Sequence, residues 1–530
     1  MPLAHRIAAA ARRRPLASIL ALVALVAGLY VVAHPLAVTR YAPMTDLPFH
    51  AAQTSAFRHY LDPDFHLREQ FELHPLAVPY VSMYAIGAFF MLFLPAHVAI
   101  KIAAAAMLAL LPAGLAVMFA GMKKSPLLGL LGLPLVWNPL THWGFLNFLG
   151  ALGLFAAAIG VTLMLLDRPT RGRQIALSAV LVLLFFTHVF RFPFALCGVV
   201  GTAIVMYPAT RRLRPILLPL ALPLALMAVW LSVRPAAIGG PIDLSHFEPA
   251  RLAEIPHLVF EGGFDDPAEA RAIEGAARVV ALVVGACALA FVAEGRMSGR
   301  TRRAWAWGAG VTLVPLCCAG AFLLLFLILP MQTGVWWYVY PREAVATAFI
   351  ALGAAPDLPK RGLLRAPLVV ALALASCGLG RAIAENYSRF DRATVDFQAV
   401  TQKIPQAPKL LYLVFEHGGS NRKNTPFIHL PAYVQAEKGG WLSFHFAVFG
   451  ASPVTYRDRS DPAAVVPPPV PVRWEWTPQR FRVLEHGPFF DWFLVRARRS
   501  PDEIFRADPT VVPVAHQGTW WLYRRDLARR

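Results

Sequence analysis

The chain has 530 residues, of which 57% are hydrophobic and 15% are charged, and its mean hydropathy is +0.52. A soluble globular protein carries about 25% charged residues, so this composition, with its long uncharged runs, excludes that class and predicts a polytopic α-helical membrane protein. The formal net charge of +19 comes from short basic clusters between apolar runs, a distribution typical of cytoplasmic loops. No basic face interleaved with aromatic residues is present, so nucleic acid is not a predicted partner.

The N-terminus and the cysteines fit a membrane protein. Basic residues precede an apolar run from Ala17 to Ala33, which predicts an uncleaved signal anchor. All five cysteines lie in apolar runs, where a small buried hydrophobic residue is the ordinary interpretation. The sequence therefore predicts neither a disulfide framework nor a zinc site.

The basic clusters define a topology when each is placed on the cytoplasmic side. The N-terminus is then cytoplasmic, the outer loops are 35–75 and 235–274, and the C-terminal region is extracytoplasmic. About 11 crossing helices result: 16–34, 100–121, 127–138, 147–166, 175–190, 194–207, 215–233, 275–293, 304–330, 343–356 and 366–380. Residues 77–94 do not fit, because a full crossing would reverse the side of Lys123 and Lys124. A re-entrant or interfacial helix resolves the conflict; two genuine crossings with an outward-facing lysine pair are the alternative.

The composition changes near residue 385, where charges and prolines replace the long apolar runs. We expect a transmembrane module over residues 1–384 and a small extracytoplasmic α/β domain over 385–530. Strands are predicted at Lys409 to Phe415, Trp441 to Phe449, Phe490 to Val495 and Gly518 to Tyr523, with a short helix at Asp502 to Arg506 and a proline-rich connector at Ala463 to Val472.

The first outer loop is rich in ionisable side chains: Asp46, His50, Asp62, Asp64, His66, Glu69, Glu72 and His74. Asp46 and His50 are four residues apart, so a short helix would place both on one face, where a carboxylate and an imidazole can activate a hydroxyl. Asp62, Asp64 and His66 could bind a divalent cation, but an ordinary solvated turn is the alternative, and no cofactor is predicted with certainty.

Two further outer segments carry candidate binding residues. Trp336, Trp337, Tyr338 and Tyr340 precede Arg342; they form either a binding platform or the interfacial aromatic belt of membrane proteins. His188 and Arg191 lie in another short outer turn, where Arg191 either faces the same cavity as Asp46 or extends to the membrane surface.

Several features together resemble the membrane module of the GT-C glycosyltransferases, which use polyprenyl-phosphate sugars and include protein mannosyltransferases and aminoarabinose transferases. An outward-crossing first helix precedes a loop with an early acid. A proline-led aromatic helix follows, from His74-Pro75 to Phe93, and then a helix with an interior Lys101. Asn138-Pro139, the run Gly144 to Gly150 and a C-terminal domain after the last span complete the resemblance.

The resemblance implies a function and residue roles. Asp46 would be the catalytic base that activates the acceptor, and Arg342, with Arg191 next, would hold the lipid-phosphate leaving group; His50, His188, Trp336, Trp337 and Tyr338 are the other substrate-binding candidates. The implied reaction is inverting transfer of a sugar from a lipid-linked donor in a bacterial inner membrane to an unidentified acceptor. The alternative is a transporter or a non-catalytic envelope assembly protein. An ion-coupled carrier would need ionisable residues deep in its spans, where Lys101 stands almost alone.

Overall fold

The computed structural model describes residues 15–235, 238, 244, 246–295, 301–418, 423–469, 474–526 and 528. The basic cluster at Arg12 to Arg14, residues 296–300 of another cluster and parts of the outer loop 235–274 lie outside the described residues. The helices are α1 (Pro15–Ala37), α2 (Leu47–Arg58), α3 (Ser82–Phe90), α4 (Ala96–Gly121), α5 (Pro139–Trp143), α6 (Leu146–Asp167), α7 (Arg171–Thr187), α8 (Phe192–Thr210), α9 (Leu217–Val233), α10 (Ile255–Phe260), α11 (Pro267–Ala293), α12 (Arg302–Ile328), α13 (Val339–Ala351), α14 (Gly362–Ala393), α15 (Val395–Thr401), α16 (Ala432–Lys438), α17 (Val483–His486) and α18 (Asp502–Phe505).

The strands are short and most lie in the C-terminal part of the chain. They are β1 (Phe71–Leu73), β2 (Gln332–Thr333), β3 (Trp336–Trp337), β4 (Lys409–Val414), β5 (Trp441–Leu442), β6 (Val454–Tyr456), β7 (Trp492–Arg496), β8 (Val511–Gln517) and β9 (Trp520–Arg525).

The membrane module contains, among the described residues, eight helical segments long and apolar enough to cross a bilayer. They contain α1, α4, α6, α8, α9, α11, α12 and α14, and each overlaps a predicted span. The other three predicted spans correspond to shorter elements: α7, α13 and a 3₁₀ helix at Pro126–Leu135. The predicted class, a polytopic helical membrane protein with a small C-terminal sheet domain, is confirmed, and the number of crossings stays a prediction.

Helix α3 occupies the segment that did not fit the predicted topology. It has nine residues, which rise about 14 Å in an α-helix. That is less than half of the roughly 30 Å hydrocarbon core. Helix α3 therefore cannot cross a bilayer by itself, in agreement with a re-entrant or interfacial helix.

Helices α4 and α6 pack closely at the centre of the module. A Cβ atom added at Gly114 would lie 1.9 Å from the carbonyl oxygen of Gly153, and one added at Gly121 would lie 2.2 Å from that of Gly160. Small residues allow helix backbones in membranes to approach this closely. Helix α6 is buried nearly throughout and forms the core on which the outer turns rest.

Basic clusters from distant parts of the chain meet at one end of the helices. The Nζ atom of Lys123 lies 2.8 Å from Oδ1 of Asp167, and Arg212 donates to the Asp167 carbonyl at 2.6 Å. Arg303 donates to the carbonyl of Ala209 at 3.0 Å. Basic clusters that are far apart in the sequence therefore lie together at one end of the helices, as the positive-inside pattern requires.

The C-terminal region forms a five-stranded mixed sheet in the order β5-β4-β7-β9-β8, in which β4 runs parallel to both of its neighbours. The predicted strand from Trp441 to Phe449 is shortened to β5, because His445 accepts a hydrogen bond from the Ala447 N–H and begins a 3₁₀ turn. Strand β8 was not predicted.

The first outer loop and the C-terminal region fold together. Strand β1 pairs antiparallel with β6, so Glu72 lies opposite Thr455. Gln70 donates to the Gly440 carbonyl at 2.9 Å, and α16 packs on α2. The domain boundary predicted at residue 385 falls inside α14, which continues to Ala393. These contacts bring residues of the C-terminal region against α2.

Candidate functional site

Asp46 lies immediately before α2 and is anchored by the last two residues of α5. Its N–H donates to the carbonyl of Trp143 at 3.1 Å, and the N–H of Thr45 donates to the carbonyl of His142 at 2.9 Å. Helix α2 begins at Leu47, with Pro48 in its first turn, where the fixed φ of proline suits a helix start. The backbone of Asp46 is therefore fixed by a partner about one hundred residues further along the chain.

Gly144 makes this anchorage possible. Its φ is +97°, and a Cβ atom at this position would lie 3.0 Å from the Cβ of Asp46 and 3.2 Å from its backbone nitrogen. L-residues other than glycine rarely adopt this backbone conformation. Gly144 begins the run Gly144 to Gly150 that contributed to the family resemblance. The close approach of Asp46 requires a glycine at this position.

His429, from the C-terminal region, is the side chain that bonds to the Asp46 carboxylate. Its Nδ1 atom lies 3.1 Å from Asp46 Oδ1 and 3.1 Å from the carbonyl oxygen of Thr45. Its ring packs against Phe49, with 4.5 Å between ring centroids. Sequence reasoning missed His429, because it is 383 residues from Asp46 and no local spacing connects them.

His50 does not pair with the Asp46 carboxylate as the sequence suggested. Its Nε2–H donates to the Gly144 carbonyl at 3.1 Å, so Nδ1 of the neutral ring accepts from the Tyr84 hydroxyl at 2.9 Å. Burial lowers the pKa of His50, although the charge of Asp46 partly opposes that shift. His50 therefore bonds to the Gly144 turn and makes no hydrogen bond to the Asp46 carboxylate among the described residues.

Arg342 lies on the other side of the same turn. Its guanidinium stacks 4.1 Å from the ring centroid of Phe145, donates to the carbonyls of Tyr338 at 3.0 Å and Trp337 at 2.8 Å, and interacts electrostatically with Asp46. The sequence placed Asp46 and Arg342 on one side of the membrane, and the structure places both beside residues 143–145.

Arg191 is held differently from Arg342. It forms a bidentate ion pair with Glu343, in which Nη1 lies 2.8 Å from Oε2 and Nη2 contacts Oε1, and both side chains are buried. The guanidinium also stacks 4.5 Å from the Phe148 ring centroid. Arg191 is thus paired with a carboxylate in the interior of the protein.

The remaining candidates form an aromatic group beside Arg342. The His188 ring is buried, 4.9 Å from the Tyr80 centroid, and Trp336 contacts Tyr80 edge-on at 5.8 Å. The Trp337 ring centroid lies 5.1 Å from that of Trp143, and Tyr338 lies 6.0 Å from Phe145. Trp337 and Tyr338 thus contact the turn at residues 143–145, whereas His188 and Trp336 meet at Tyr80; Trp337 is the exposed residue of the four.

The acids at the far end of the first outer loop form a turn. Asp62 accepts from the N–H of Asp64 at 3.1 Å and from His59 at 3.0 Å, and it caps a 3₁₀ helix at Pro63–Phe65. Across the described residues, no three His, Cys, Asp or Glu side chains are arranged to hold a metal ion. These contacts fit the turn interpretation of Asp62 and Asp64.

Comparison with solved structures shows which fold carries this site. ArnT from Cupriavidus metallidurans bound to undecaprenyl phosphate aligns over 97% of this chain and 98% of its own, with a TM-score of 0.53 and 15% sequence identity. The chain has the fold of ArnT. The apo state of ArnT aligns over 96% and 97% of the two chains, with a TM-score of 0.53 and 14% identity. No protein-family model and no curated protein sequence matches the chain.

The ArnT-like fold agrees with the architecture predicted from the sequence, a helical membrane module followed by a small C-terminal domain. A further similarity, to the arabinofuranosyltransferase AftD from Mycobacteria, has a TM-score of 0.43 and 13% identity and covers 96% of this chain and 40% of AftD. The roles of Asp46, Arg342 and the aromatic group stay predictions, because identity this low to ArnT carries the fold alone.

Proposed function

We propose that this protein is a membrane glycosyltransferase that moves a sugar from a polyprenyl-phosphate carrier to an extracytoplasmic acceptor. The observation that carries the proposal is the Asp46 carboxylate. His429 bonds to its Oδ1, whereas Oδ2 has no hydrogen-bond partner in the described parts of the chain. A carboxylate oxygen left free, with the half-buried Arg342 on the other side of the same turn, suits a base that takes a proton from an acceptor in an ArnT-like fold.

The proposed reaction is a direct, inverting displacement. Asp46 Oδ2 takes the proton of the acceptor hydroxyl or amine as that atom forms a bond to the anomeric carbon. The bond from the anomeric carbon to the phosphate oxygen breaks, and its electron pair leaves with the lipid phosphate. One step of this kind needs no covalent enzyme intermediate, and it inverts the anomeric configuration because attack and departure occur on opposite faces.

Arg342 stabilises the leaving phosphate in this proposal. Two of its nitrogens donate to backbone carbonyls, and Nη1 has no hydrogen-bond partner in the described residues. A guanidinium held in place before the phosphate arrives stabilises developing negative charge without reorganising. ArnT has been solved with undecaprenyl phosphate bound, which supports a lipid phosphate as the leaving group here.

The experiment that tests the proposal is a reconstituted transfer assay with a panel of undecaprenyl-phosphate-linked sugars. Replacing a general base lowers kcat by about 10²- to 10⁴-fold, and we expect a loss of this size for Asp46→Asn. Asp62→Asn is the matched control, because Asp62 caps a turn in the same outer loop, and we expect it to retain wild-type kcat.

Two results would overturn the proposal. One is unchanged transfer by Asp46→Asn. The other is a folded wild-type protein that transfers no sugar from any donor in the panel; a non-catalytic envelope assembly protein or a transporter would then be the better explanation of the fold.

A further inference from the structure

We propose that His429 is a positioning residue for Asp46, so that the C-terminal domain completes the active site instead of serving as an accessory to it. The inference rests on the proposed function, in which Asp46 is the base. It goes beyond that function by assigning a role to a residue from a different part of the chain.

The protonation of Nδ1 follows from its two partners. Nδ1 of His429 lies 3.1 Å from the carbonyl oxygen of Thr45 and 3.1 Å from Oδ1 of Asp46. A carbonyl oxygen only accepts, so Nδ1 carries the hydrogen and donates to both atoms in a bifurcated bond. This bond holds one carboxylate oxygen of Asp46 and leaves Oδ2 to a substrate.

The His429 ring is fixed on several sides. The side chain is 7% exposed, against 18% for Asp46. Ring centroids lie 4.5 Å away in Phe49, from the first turn of α2, and 5.6 Å away in Phe446, from the C-terminal domain. The His429 carbonyl accepts from the N–H of Ala432 at 2.9 Å, where α16 begins. A donor immobilised in this way can hold a carboxylate in one rotamer.

The bond from His429 restricts the orientation of the Asp46 carboxylate. A carboxylate on an otherwise unbonded aspartate rotates about χ2, a broad and roughly two-fold torsion. Misplacing a reacting group by about 1 Å can cost about 10²-fold in rate. A bond from His429 to Oδ1 removes this freedom, and its loss should therefore appear in kcat more than in KM.

The test compares two substitutions that differ in one hydrogen-bond donor. His429→Asn keeps an N–H at the position of Nδ1, whereas His429→Leu removes it and keeps a buried side chain. Because a misplaced group costs up to about 10²-fold, we expect His429→Leu to lower kcat by about 10- to 100-fold with little change in KM. His429→Asn should restore most of the rate. His516→Leu, at an exposed histidine of the same domain, should behave as wild type.

A thermal cycle tests the contact without relying on turnover. Asp46→Ala, which removes the acceptor, His429→Leu, which removes the donor, and the double variant are melted in detergent. Residues in contact give non-additive effects, whereas separated residues add. We expect the double variant to lose less Tm than the two single losses added together.

The outcomes separate this inference from the function on which it rests. Equal loss of kcat in His429→Asn and His429→Leu, or no loss in His429→Leu, overturns the positioning role while glycosyl transfer by the wild type stands. If the wild type transfers no sugar, the proposed function fails, and only the thermal cycle tests the contact between His429 and Asp46. Additive Tm shifts would then contradict the contact, and non-additive shifts would support it.

Discussion

Asp46 owes its position to a residue with no side chain. Gly144 combines a positive φ with a 3.0 Å approach of its missing Cβ to the Cβ of Asp46. Gly144→Ala should therefore push Asp46 away from the Trp143 carbonyl, at a conformational cost of about 1–2 kcal/mol. We expect a lower Tm and a fall in transfer rate that exceeds what the Tm loss explains.

Gly201→Ala is the matched control for Gly144→Ala. Gly201 lies inside α8, and a Cβ added there would have no atom of the described residues within 4 Å. Alanine is favoured over glycine by up to about 1 kcal/mol in a helix interior, so Gly201→Ala should leave Tm unchanged or raise it. Equal behaviour of the two variants would contradict the role of Gly144.

Two histidines whose pKa values are lowered in the folded protein make stability depend on pH. Burial lowers the pKa of His142 from 6.5 to about 3, and it also lowers the pKa of His50. Below pH 6.5 the unfolded chain therefore binds protons that the folded protein excludes, and folding weakens as pH falls, by at most about 1.4 kcal/mol per pH unit for each histidine.

The pH dependence is measured as Tm between pH 7.5 and pH 5. Within the described parts of the chain, neither ring nitrogen of His142 has a hydrogen-bond partner, so His142→Leu removes a titrating group without breaking a bond seen there. We expect the variant to show a shallower acid slope than the wild type. An identical slope would mean that His142 does not contribute.

At the scale of elements, the buried ion pair of Arg191 and Glu343 joins the start of α8 to α13. Removing one partner of a buried pair costs about 3–5 kcal/mol, whereas replacing both with apolar residues is often neutral or stabilising. Arg191→Met should lower Tm sharply, and the double variant Arg191→Met/Glu343→Leu should recover it. If the double variant recovers stability and still transfers sugar, Arg191 has a structural role only. If it recovers stability but does not transfer sugar, Arg191 is needed to bind the lipid phosphate.

Sequence patterns predicted the elements better than their contacts. Long apolar runs located the long helices, and short apolar segments in the C-terminal region located β4, β7 and β9. The patterns extended β5 too far because His445 caps a turn, and they missed β8, whose Pro513 and His516 interrupt an apolar pattern. Asp46 and Arg342 were found because each lies beside a span end. His429 was not, since periodicity contains no information about a partner 383 residues away.

At the scale of the whole molecule, topology can be tested by cysteine labelling after the five native cysteines are replaced by alanine. Leu61 is 77% exposed in the first outer loop, and Leu363 is 91% exposed beside the basic cluster at the start of α14. A membrane-impermeant thiol reagent should label Leu61→Cys in intact cells, and Leu363→Cys only after permeabilisation. The reverse labelling pattern would show that the orientation in the membrane is opposite to the one proposed. Equal labelling of the two variants would contradict the prediction that Leu61 and Leu363 lie on opposite sides of the membrane.

The pairing of β1 with β6 also sets a time for assembly. Phe71 lies opposite Tyr456, so 385 residues separate the paired positions. At a synthesis rate of about 5–20 residues per second, this segment takes about 20–80 s to make. During that interval the nascent chain presents an unpaired strand, and the Asp46 carboxylate lacks its histidine donor. The order of synthesis therefore keeps the candidate site incomplete until most of the chain has been made.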